Sequence, residues 1–381
     1  MHDRHVRSSR SDAGGLRLSR LIVPLLTAAI LVLPGCAGDG TDKVTEPGPD
    51  PTFATGPWQV IFAAYAVSCG VTKAGVTYCW GVNGSGQLGD GTVTQRNVPT
   101  KVATTQRFVR IAGERSTMCG VTDASEVYCW GGVALTPRLV PGLRARDVAL
   151  TDGFMCALGT DDVVSCWYGS GASATPTPIS ATLRFRAIYG SEGRLCAVTV
   201  SGEAYCSLTE PRVVLGPLVR QPASQVLTSI ATAGSPSPSG DDFLHACGLT
   251  ADGTAYCWGN NEVGQLGDGT QTARATSVRT AGAAKFASIG ARGGRTCGLG
   301  LDGLGYCWGF ADVVGPSGIN VAPKVIDPTL RLTAVAVGTQ HTCVVTTGGA
   351  GYCWGAGGSG QLGIGDTPQY TATPQRVLDP P

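Results

Sequence analysis

The chain has 381 residues, a formal net charge of +1 and 14% charged residues, and 56 of its residues are glycine. This glycine content, with no long amphipathic helical pattern between the turn residues, favours an all-β protein of short strands and tight turns. Five arginines fall within the first twenty residues, so the rest of the chain is close to neutral. Because nucleic-acid binders need a basic surface to displace counterions from phosphates, we expect no nucleic-acid partner.

Residues 1–35 have the features of an export signal. An arginine-rich start is followed by an apolar run from Leu21 to Leu33, which Pro24 interrupts. A membrane-spanning helix needs about 20 apolar residues, so this run is too short to span and is typical of the hydrophobic region of a signal peptide. The sequence therefore predicts that residues 1–35 are removed on export.

Cys36 ends a short motif, Leu33-Pro34-Gly35-Cys36, that resembles the lipobox of bacterial lipoproteins. The resemblance implies cleavage before Cys36 and attachment of a lipid to its sulfur; the alternative is an ordinary signal peptide followed by an incidental cysteine. Residues 36–56 are rich in Gly, Asp, Thr and Pro and predict a flexible tether. We therefore expect an exported protein, anchored to a membrane through Cys36 and facing the periplasm or the cell surface.

The other fourteen cysteines form seven pairs, each with nine residues between the partners. The pairs recur every 37 to 51 residues, which indicates seven structural repeats. Zinc sites space their cysteine ligands more closely, so we expect no metal at these positions. The pairs are Cys69 with Cys79, Cys119 with Cys129, Cys156 with Cys166, Cys196 with Cys206, Cys247 with Cys257, Cys297 with Cys307 and Cys343 with Cys353.

Each cysteine pair predicts a β-hairpin closed by a three-residue loop. The midpoint of the first pair is the loop Lys73-Ala74-Gly75, and glycine recurs at the third loop position in most repeats. Such a loop needs a positive φ at that position, which glycine adopts at low cost. In this register Cys69 and Cys79 form a non-hydrogen-bonded antiparallel pair, whose Cα atoms lie about 4.5 Å apart. We therefore predict seven disulfides, each within one hairpin, as suits an oxidising compartment.

The residues around the cysteines repeat as well. Repeats 1, 5 and 7 contain Tyr-Cys-Trp-Gly followed by Gly-Gln-Leu-Gly, at 78–81 and 86–89, at 256–259 and 264–267, and at 352–355 and 360–363. This pattern resembles the regulator of chromosome condensation repeat family over residues 57–381. The resemblance implies a β-propeller of seven four-stranded blades, a number that agrees with the seven cysteine pairs. The usual repeats of that family lack the paired cysteines.

The two ends of the 57–381 region look like complementary parts of one blade. The segment from Trp58 to Phe62 is largely apolar, and another apolar pair, Val377 and Leu378, lies near the end of the chain. We therefore expect the N- and C-terminal segments to pair in one sheet, which would close the propeller and remove an exposed sheet edge.

Several recurring residues are interpreted as structural. The repeat tryptophans and two histidines are expected to pack or hydrogen-bond in the blades, and three aspartates to stabilise turns rather than bind calcium. No catalytic motif is visible, so we expect neither an enzyme nor a bound cofactor. These residues are Trp80, Trp130, Trp167, Trp258, Trp308, Trp354, His245, His341, Asp90, Asp268 and Asp366.

The sequence favours a binding or interaction scaffold for a protein or a cell-envelope ligand, working as a monomer. Loops of unequal length on one propeller face would form the binding surface, and the insert 233–242 is the leading loop. Two alternatives stay open: guanine-nucleotide exchange, which the family resemblance implies, and an enzyme acting on envelope polymers. Carboxylates with a histidine at the central channel would favour the enzyme.

Overall fold

The computed structural model describes residues 56–132, 134–168, 175–210, 214–233, 244–311 and 318–381. In these ranges the chain forms 28 β-strands and no α-helix, in agreement with the all-β prediction. It follows that the described part of the chain has no helix able to cross a membrane. The predicted leader 1–35, Cys36 and all of the predicted tether except Gly56 lie outside the described residues.

The strands form antiparallel sheets in which consecutive strands are neighbours, and most repeats contribute a set of four. Repeat 1 contains β1 (Trp58–Ala63), β2 (Val67–Thr72), β3 (Thr77–Gly81) and β4 (Arg96–Lys101). Repeat 2 contains β5 (Phe108–Glu114), β6 (Thr117–Thr122), β7 (Glu126–Gly131) and the first part of the long strand β8 (Ala134–Leu150). Repeat 3 takes the second part of β8, then β9 (Phe154–Gly159), β10 (Val164–Tyr168) and β11 (Thr177–Pro178).

The remaining repeats follow the same order. Repeat 4 contains β12 (Phe185–Ser191), β13 (Arg194–Thr199), β14 (Ala204–Glu210), the short β15 (Val214–Leu215) and β16 (Val219–Arg220), and both short strands pair with β14. Repeat 5 contains β17 (Leu227–Ala233), β18 (His245–Thr250), β19 (Ala255–Gly259) and β20 (Arg274–Arg279). Repeat 6 contains β21 (Phe286–Arg292), β22 (Arg295–Gly300), β23 (Gly305–Ala311) and β24 (Gly318–Val325). Repeat 7 contains β25 (Leu332–Val337), β26 (His341–Thr346), β27 (Gly351–Ala356) and β28 (Tyr370–Arg376).

The second and third strands of every repeat form the hairpin that the cysteine spacing predicts. Cys69 pairs with Cys79 in the strand register, and the backbone N–H of Thr72 donates to the carbonyl of Val76 at 2.9 Å to close the loop. The third loop residue has a positive φ in every repeat, at Gly75, Ser125, Asp162, Gly202, Gly253, Gly303 and Gly349.

All seven predicted cysteine pairs are disulfides, and each one lies within a single hairpin. Their Cα–Cα distances are 4.0 to 4.1 Å, somewhat shorter than the spacing of about 4.5 Å expected for a non-hydrogen-bonded pair. The bonds join Cys69 to Cys79, Cys119 to Cys129, Cys156 to Cys166, Cys196 to Cys206, Cys247 to Cys257, Cys297 to Cys307 and Cys343 to Cys353.

The hydrophobic core lies mainly between successive repeats. In repeat 1 every residue of β2 is buried, so both faces of this strand need apolar neighbours. One core cluster joins Leu88 and Val102 of repeat 1 to Trp130 of repeat 2. Burial of whole strands between neighbouring sheets explains why the strand sequences are apolar almost throughout instead of alternating.

The first strands of neighbouring repeats contact one another in the order β1, β5, β8, β12, β17, β21, β25 and back to β1. The first and last repeats nevertheless keep separate sheets, because β1 pairs with β2 and β28 pairs with β27. The expected sheet shared by N- and C-terminal segments was therefore wrong for the described residues. The physical reason is that four consecutive strands already complete the last sheet, so no strand position is left for the start of the chain to fill.

Candidate binding face

Loops alternate between the two ends of each sheet because neighbouring strands are antiparallel. The loops between second and third strands lie at one end, which we call the hairpin face. The first-to-second and third-to-fourth connections lie at the other end, the loop face. The seven second-to-third loops on the hairpin face are each three residues long, and connections between repeats, such as 102–107, lie at the same end. The third-to-fourth connection on the loop face spans 82–95 in repeat 1, whereas only two residues separate Gly131 from Ala134 in repeat 2.

The hairpin face is held by repeated contacts. The N–H of the first loop residue donates to the segment before the first strand of the same repeat, as Lys73 does to the carbonyl of Pro57 at 2.8 Å. The Lys73 ammonium also donates to the carbonyl of Gly348 in repeat 7 at 3.1 Å. Gly56, at the start of the described fold, packs so closely on the backbone of Gly349 that a Cβ would not fit. The polar groups of this face are thus largely engaged within the protein.

The Gly-Gln-Leu-Gly segments on the loop face fasten each of three repeats to the next one. Leu88 is fully buried against Trp130 of repeat 2, and the indole N–H of Trp130 donates to the carbonyl of Gln87 at 2.9 Å. A Cβ on Gly89, whose φ is +67°, would lie 2.9 Å from the Trp130 ring. We call this contact the tryptophan clamp. Its packing recurs where Leu266 and Gly267 meet Trp308 and where Leu362 and Gly363 meet Trp80. The indole hydrogen bond recurs from Trp80 to the carbonyl of Gln361 at 2.9 Å, whereas Trp308 Nε1 has no hydrogen-bond partner among the described residues.

The aspartates after two of these segments are bound by donors of their own loop. The Asp90 carboxylate accepts hydrogen bonds from the Thr92 hydroxyl at 2.7 Å and from Arg96 Nε at 3.0 Å, and Asp268 has the same partners in Thr270 and Arg274. Burial opposes ionisation, but these hydrogen bonds hold the pKa of Asp90 and of Asp268 below the ordinary value. Asp366 is exposed and accepts from the Thr367 N–H. The contacts fit the predicted turn-stabilising role.

The two histidines are buried and bridge neighbouring repeats. His341 Nε2 lies 2.8 Å from the hydroxyl of Ser68 in repeat 1, and that hydroxyl donates to the carbonyl of Gln361 at 2.9 Å. Because its one proton goes to Gln361, the Ser68 oxygen accepts from His341 and is not activated as a nucleophile. His245 lies 2.8 Å from the hydroxyl of Thr296 in the same arrangement. Burial, together with Arg295 and Arg292, lowers the pKa of His341 to about 3, so this histidine is neutral.

A buried ion pair lies at the ends of first strands on the loop face. Arg292 Nη2 of repeat 6 donates to Glu114 Oε2 of repeat 2 at 2.8 Å, and both side chains are almost fully buried. The backbone N–H of Glu192, in repeat 4, donates to the same carboxylate oxygen at 3.2 Å. Burial raises the pKa of Glu114 although Arg292 opposes the shift. Three repeats that are not sequence neighbours therefore meet at one polar point, which sequence analysis did not anticipate.

Exposed side chains surround this point. Arg115 Nε donates to Asp152 Oδ1 at 2.7 Å, and the Arg115 guanidinium lies 5.4 Å from the ring centroid of Tyr65. Tyrosine and arginine are among the residue types that are enriched at protein interfaces. Further out, the hairpin loops expose Val200 and Leu301, and the loop face exposes large hydrophobic residues at Val93, Leu135, Tyr168, Phe310 and Ile319.

The insert 233–242 lies outside the described residues apart from Ala233. The strands on either side of it are the first and second strands of repeat 5, so its two ends belong to the loop face. Its sequence position thus agrees with a place on the variable face.

Known proteins resemble this chain in repeat sequence and in fold. The regulator of chromosome condensation repeat model matches residues 74–119 and 243–265. The crystal structure of human WBSCR16 is similar at 17% identity, covering 80% of this chain and 94% of that one, with a TM-score of 0.66. Prp20p from Saccharomyces cerevisiae is similar at 17% identity over 86% and 89% of the two chains, also with a TM-score of 0.66. The ectodomain of the Physcomitrella patens receptor kinase CR4 matches at 20% identity over 79% and 75%, with a TM-score of 0.51.

These similarities, together with the repeated four-stranded sheets, define an all-β repeat protein with a β-propeller-like fold. The clamp residues Gln87 and Leu88 and the hairpin after His245 fall within the two matched segments. These two segments of the chain match regulator of chromosome condensation repeats.

Proposed function

We propose that this protein is an exported, lipid-anchored β-propeller of seven blades that binds another protein or an envelope ligand through its loop face. The observation that carries the proposal is the difference between the two faces. Seven uniform, internally bonded hairpins lie on one face, while connections of unequal length lie on the other. Exposed apolar side chains occur on both faces, as at Leu301 and Leu135. Loops that vary on a constant scaffold are where binding surfaces usually lie.

The closed ring is supported by the circuit of first-strand contacts. In addition, the backbone N–H of Trp58 in repeat 1 donates to the carbonyl of Gly349 in repeat 7 at 3.0 Å, and Trp80 Nε1 donates to the carbonyl of Gln361 at 2.9 Å. Because repeats 1 and 7 cover each other's sheet faces, the ring can close within one chain and needs no second copy of the protein.

Export is supported by the seven disulfides, which indicate an oxidising environment. Lipid attachment at Cys36 is supported by the motif Leu33-Pro34-Gly35-Cys36. Intact mass of the protein from its native membrane tests both points. We expect a lipid mass on Cys36 and fourteen alkylatable thiols only after reduction, and Cys36→Ser should move the protein to the soluble fraction. An uncleaved leader, or thiols that react without reduction, would contradict export.

A protein ligand is the best-supported class of partner. The structure of Prp20p is known together with its binding properties to Gsp1p and histones, and the plant structure is a receptor kinase ectodomain. Related folds therefore occur in a protein binder and in an ectodomain. The buried polar side chains also support binding rather than catalysis, because Arg292 engages the Glu114 carboxylate and His341 bonds to Ser68.

Site-specific photo-crosslinking in the native membrane tests the binding face. A photoreactive amino acid would replace Val93 or Leu135 on the loop face, and Lys73 or Asp302 on the hairpin face as matched exposed controls. We expect the same crosslinked partner from both loop-face positions and none from the hairpin face. A partner captured only from the hairpin-face positions would overturn the proposal.

A further inference from the structure

One interface between repeats lacks both halves of the tryptophan clamp. In the strand register, Trp80 is paired with Ser68 and follows Cys79 directly; the corresponding residue of repeat 4 is Ser207, which is paired with Leu195 and follows Cys206. Repeat 3, which precedes it, has no Gly-Gln-Leu-Gly segment. The indole and the leucine that fill the clamped interfaces are therefore both missing between repeats 3 and 4.

A cavity of about 430 Å³ lies at this interface. One of its lining residues, Ile179, corresponds to Val102, because the N–H of each donates at 3.0 Å to the residue that begins the third strand, Val164 and Thr77 respectively. Val102 packs in the core cluster that contains Trp130, so the cavity lies where an indole packs in the clamped interface. The lining is Phe154, Cys166, Trp167, Tyr168, Thr175, Thr177, Pro178, Ile179, Gly216, Pro217 and Leu218.

The lining favours an uncharged aromatic ring. It contains three aromatic residues, two prolines and no charged side chain, so a charged ligand would lose its hydration without a partner. Tyr168 is 64% exposed at the mouth of the cavity, and its ring makes an edge-on contact with Phe154 at a centroid distance of 5.8 Å. Aromatic rings prefer such edge-to-face and offset arrangements, and the volume falls in the range of ordinary ligand pockets.

We propose that the cavity between repeats 3 and 4 is a binding site for an uncharged aromatic ring system of about the size of indole. The ring takes the place that a tryptophan side chain occupies in the clamped interfaces. Two sources share this chemistry: a free aromatic small molecule, and an aromatic side chain of a protein bound on the loop face. The cavity opens at that face, since its lining includes the start of β9 and the end of β10.

Indole itself and N-acetyltryptophanamide are the probes, and saturation-transfer NMR with a thermal-shift titration of the full-length oxidised protein is the measurement. We expect saturable indole binding that raises the Tm. If the amide binds as well as indole, the pocket accepts a ring on a peptide; if only indole binds, the source is a free small molecule. No saturable binding of either probe would overturn the proposal, and neither result depends on the crosslinking experiment.

Three variants locate the site. Ser207→Trp restores the repeat residue, fills the cavity from within, and should weaken indole binding at least tenfold. Ser207→Ala is its control, because it removes the hydrogen bond from the Ser207 hydroxyl to the Gly216 carbonyl without filling the space. Tyr168→Ala tests the mouth of the cavity at an exposed position that folding tolerates, and should weaken binding several-fold. Equal binding by wild type, Ser207→Trp and Tyr168→Ala would show that indole binds elsewhere and would overturn the assignment.

Discussion

Glu114 and Arg292 are separated by 178 positions in the chain, yet their side chains form an ion pair of 2.8 Å in the protein interior. Within the described residues, Glu114 Oε1 and Arg292 Nε and Nη1 have no hydrogen-bond partner. All hydrogen bonds that the structure shows for the two side chains are therefore made by Glu114 Oε2 and Arg292 Nη2.

Removing one charge of this pair should be costly. Glu114→Gln leaves the Arg292 charge buried without its counter-ion, and we expect a loss of about 3 to 5 kcal/mol in the free energy of unfolding. Denaturant unfolding with disulfides intact is the measurement. The double variant Glu114→Met with Arg292→Leu should recover much of the loss. Asp152→Asn, which breaks the exposed pair with Arg115, is the control and should cost no more than about 1 kcal/mol.

Acid should destabilise the protein through His341. Its folded pKa of about 3 lies below the ordinary value of 6.5, so the unfolded state binds a proton first as pH falls. This contribution to stability is complete above pH 6.5 and is lost progressively toward pH 3, amounting to about 2 kcal/mol between pH 7.5 and pH 5. Denaturant midpoints across this range provide the measurement. His341→Gln keeps a donor for Ser68 but does not titrate, so an unchanged pH dependence in that variant would contradict the assignment.

The last glycine of the clamp should not tolerate a methyl group. Gly89→Ala combines the cost of a left-handed backbone with a clash against Trp130, for a total loss of about 2 to 4 kcal/mol in unfolding free energy. Gly142→Ala is a matched control, since its φ is +70° and no atom lies within 4 Å of the added Cβ. It should cost about 1 kcal/mol. Equal losses in thermal or denaturant unfolding would mean that contact with Trp130 contributes nothing.

A hairpin loop without glycine offers a stabilising change. Ser125 adopts a φ of +62° at a position where most other repeats have glycine. Ser125→Gly should raise the unfolding free energy by about 0.5 to 1 kcal/mol by relieving this strain. Ser125→Ala retains the strained backbone and should leave stability nearly unchanged. A gain with alanine equal to that with glycine would assign the effect to the hydroxyl instead.

The disulfide hairpins were the part of the fold that sequence predicted in detail. Cysteine spacing and loop glycines act locally, so the pairing of Cys69 with Cys79 and the positive φ of Gly75 follow from a few neighbouring residues. The prediction that the two chain ends share one sheet was wrong, because the first strand of the first repeat is already supplied by the start of the fold. Trp58 starts a complete set of four strands, so the first repeat needs no strand from the end of the chain.

The ion pair between Glu114 and Arg292 could not have been predicted from the repeat pattern. Glu114 and Arg292 occupy the ends of first strands, where the repeats share no common residue, and only the folded arrangement brings them together. The cavity between repeats 3 and 4 is different, because it left a signal in the sequence. Ser207 stands where six repeats have tryptophan, and a missing large side chain at a buried repeat position indicates vacant space.

The close packing of Gly56 on Gly349 has a consequence for orientation. It fixes Gly56, the first described residue, on the hairpin face, at the end of the sheets opposite the variable loops. Strand β1 then runs away from this end, and six residues of strand place the loop face about 20 Å farther out. Under the proposed anchorage, in which the chain is held through the residues that precede Gly56, the loop face is the side that would point away from the membrane.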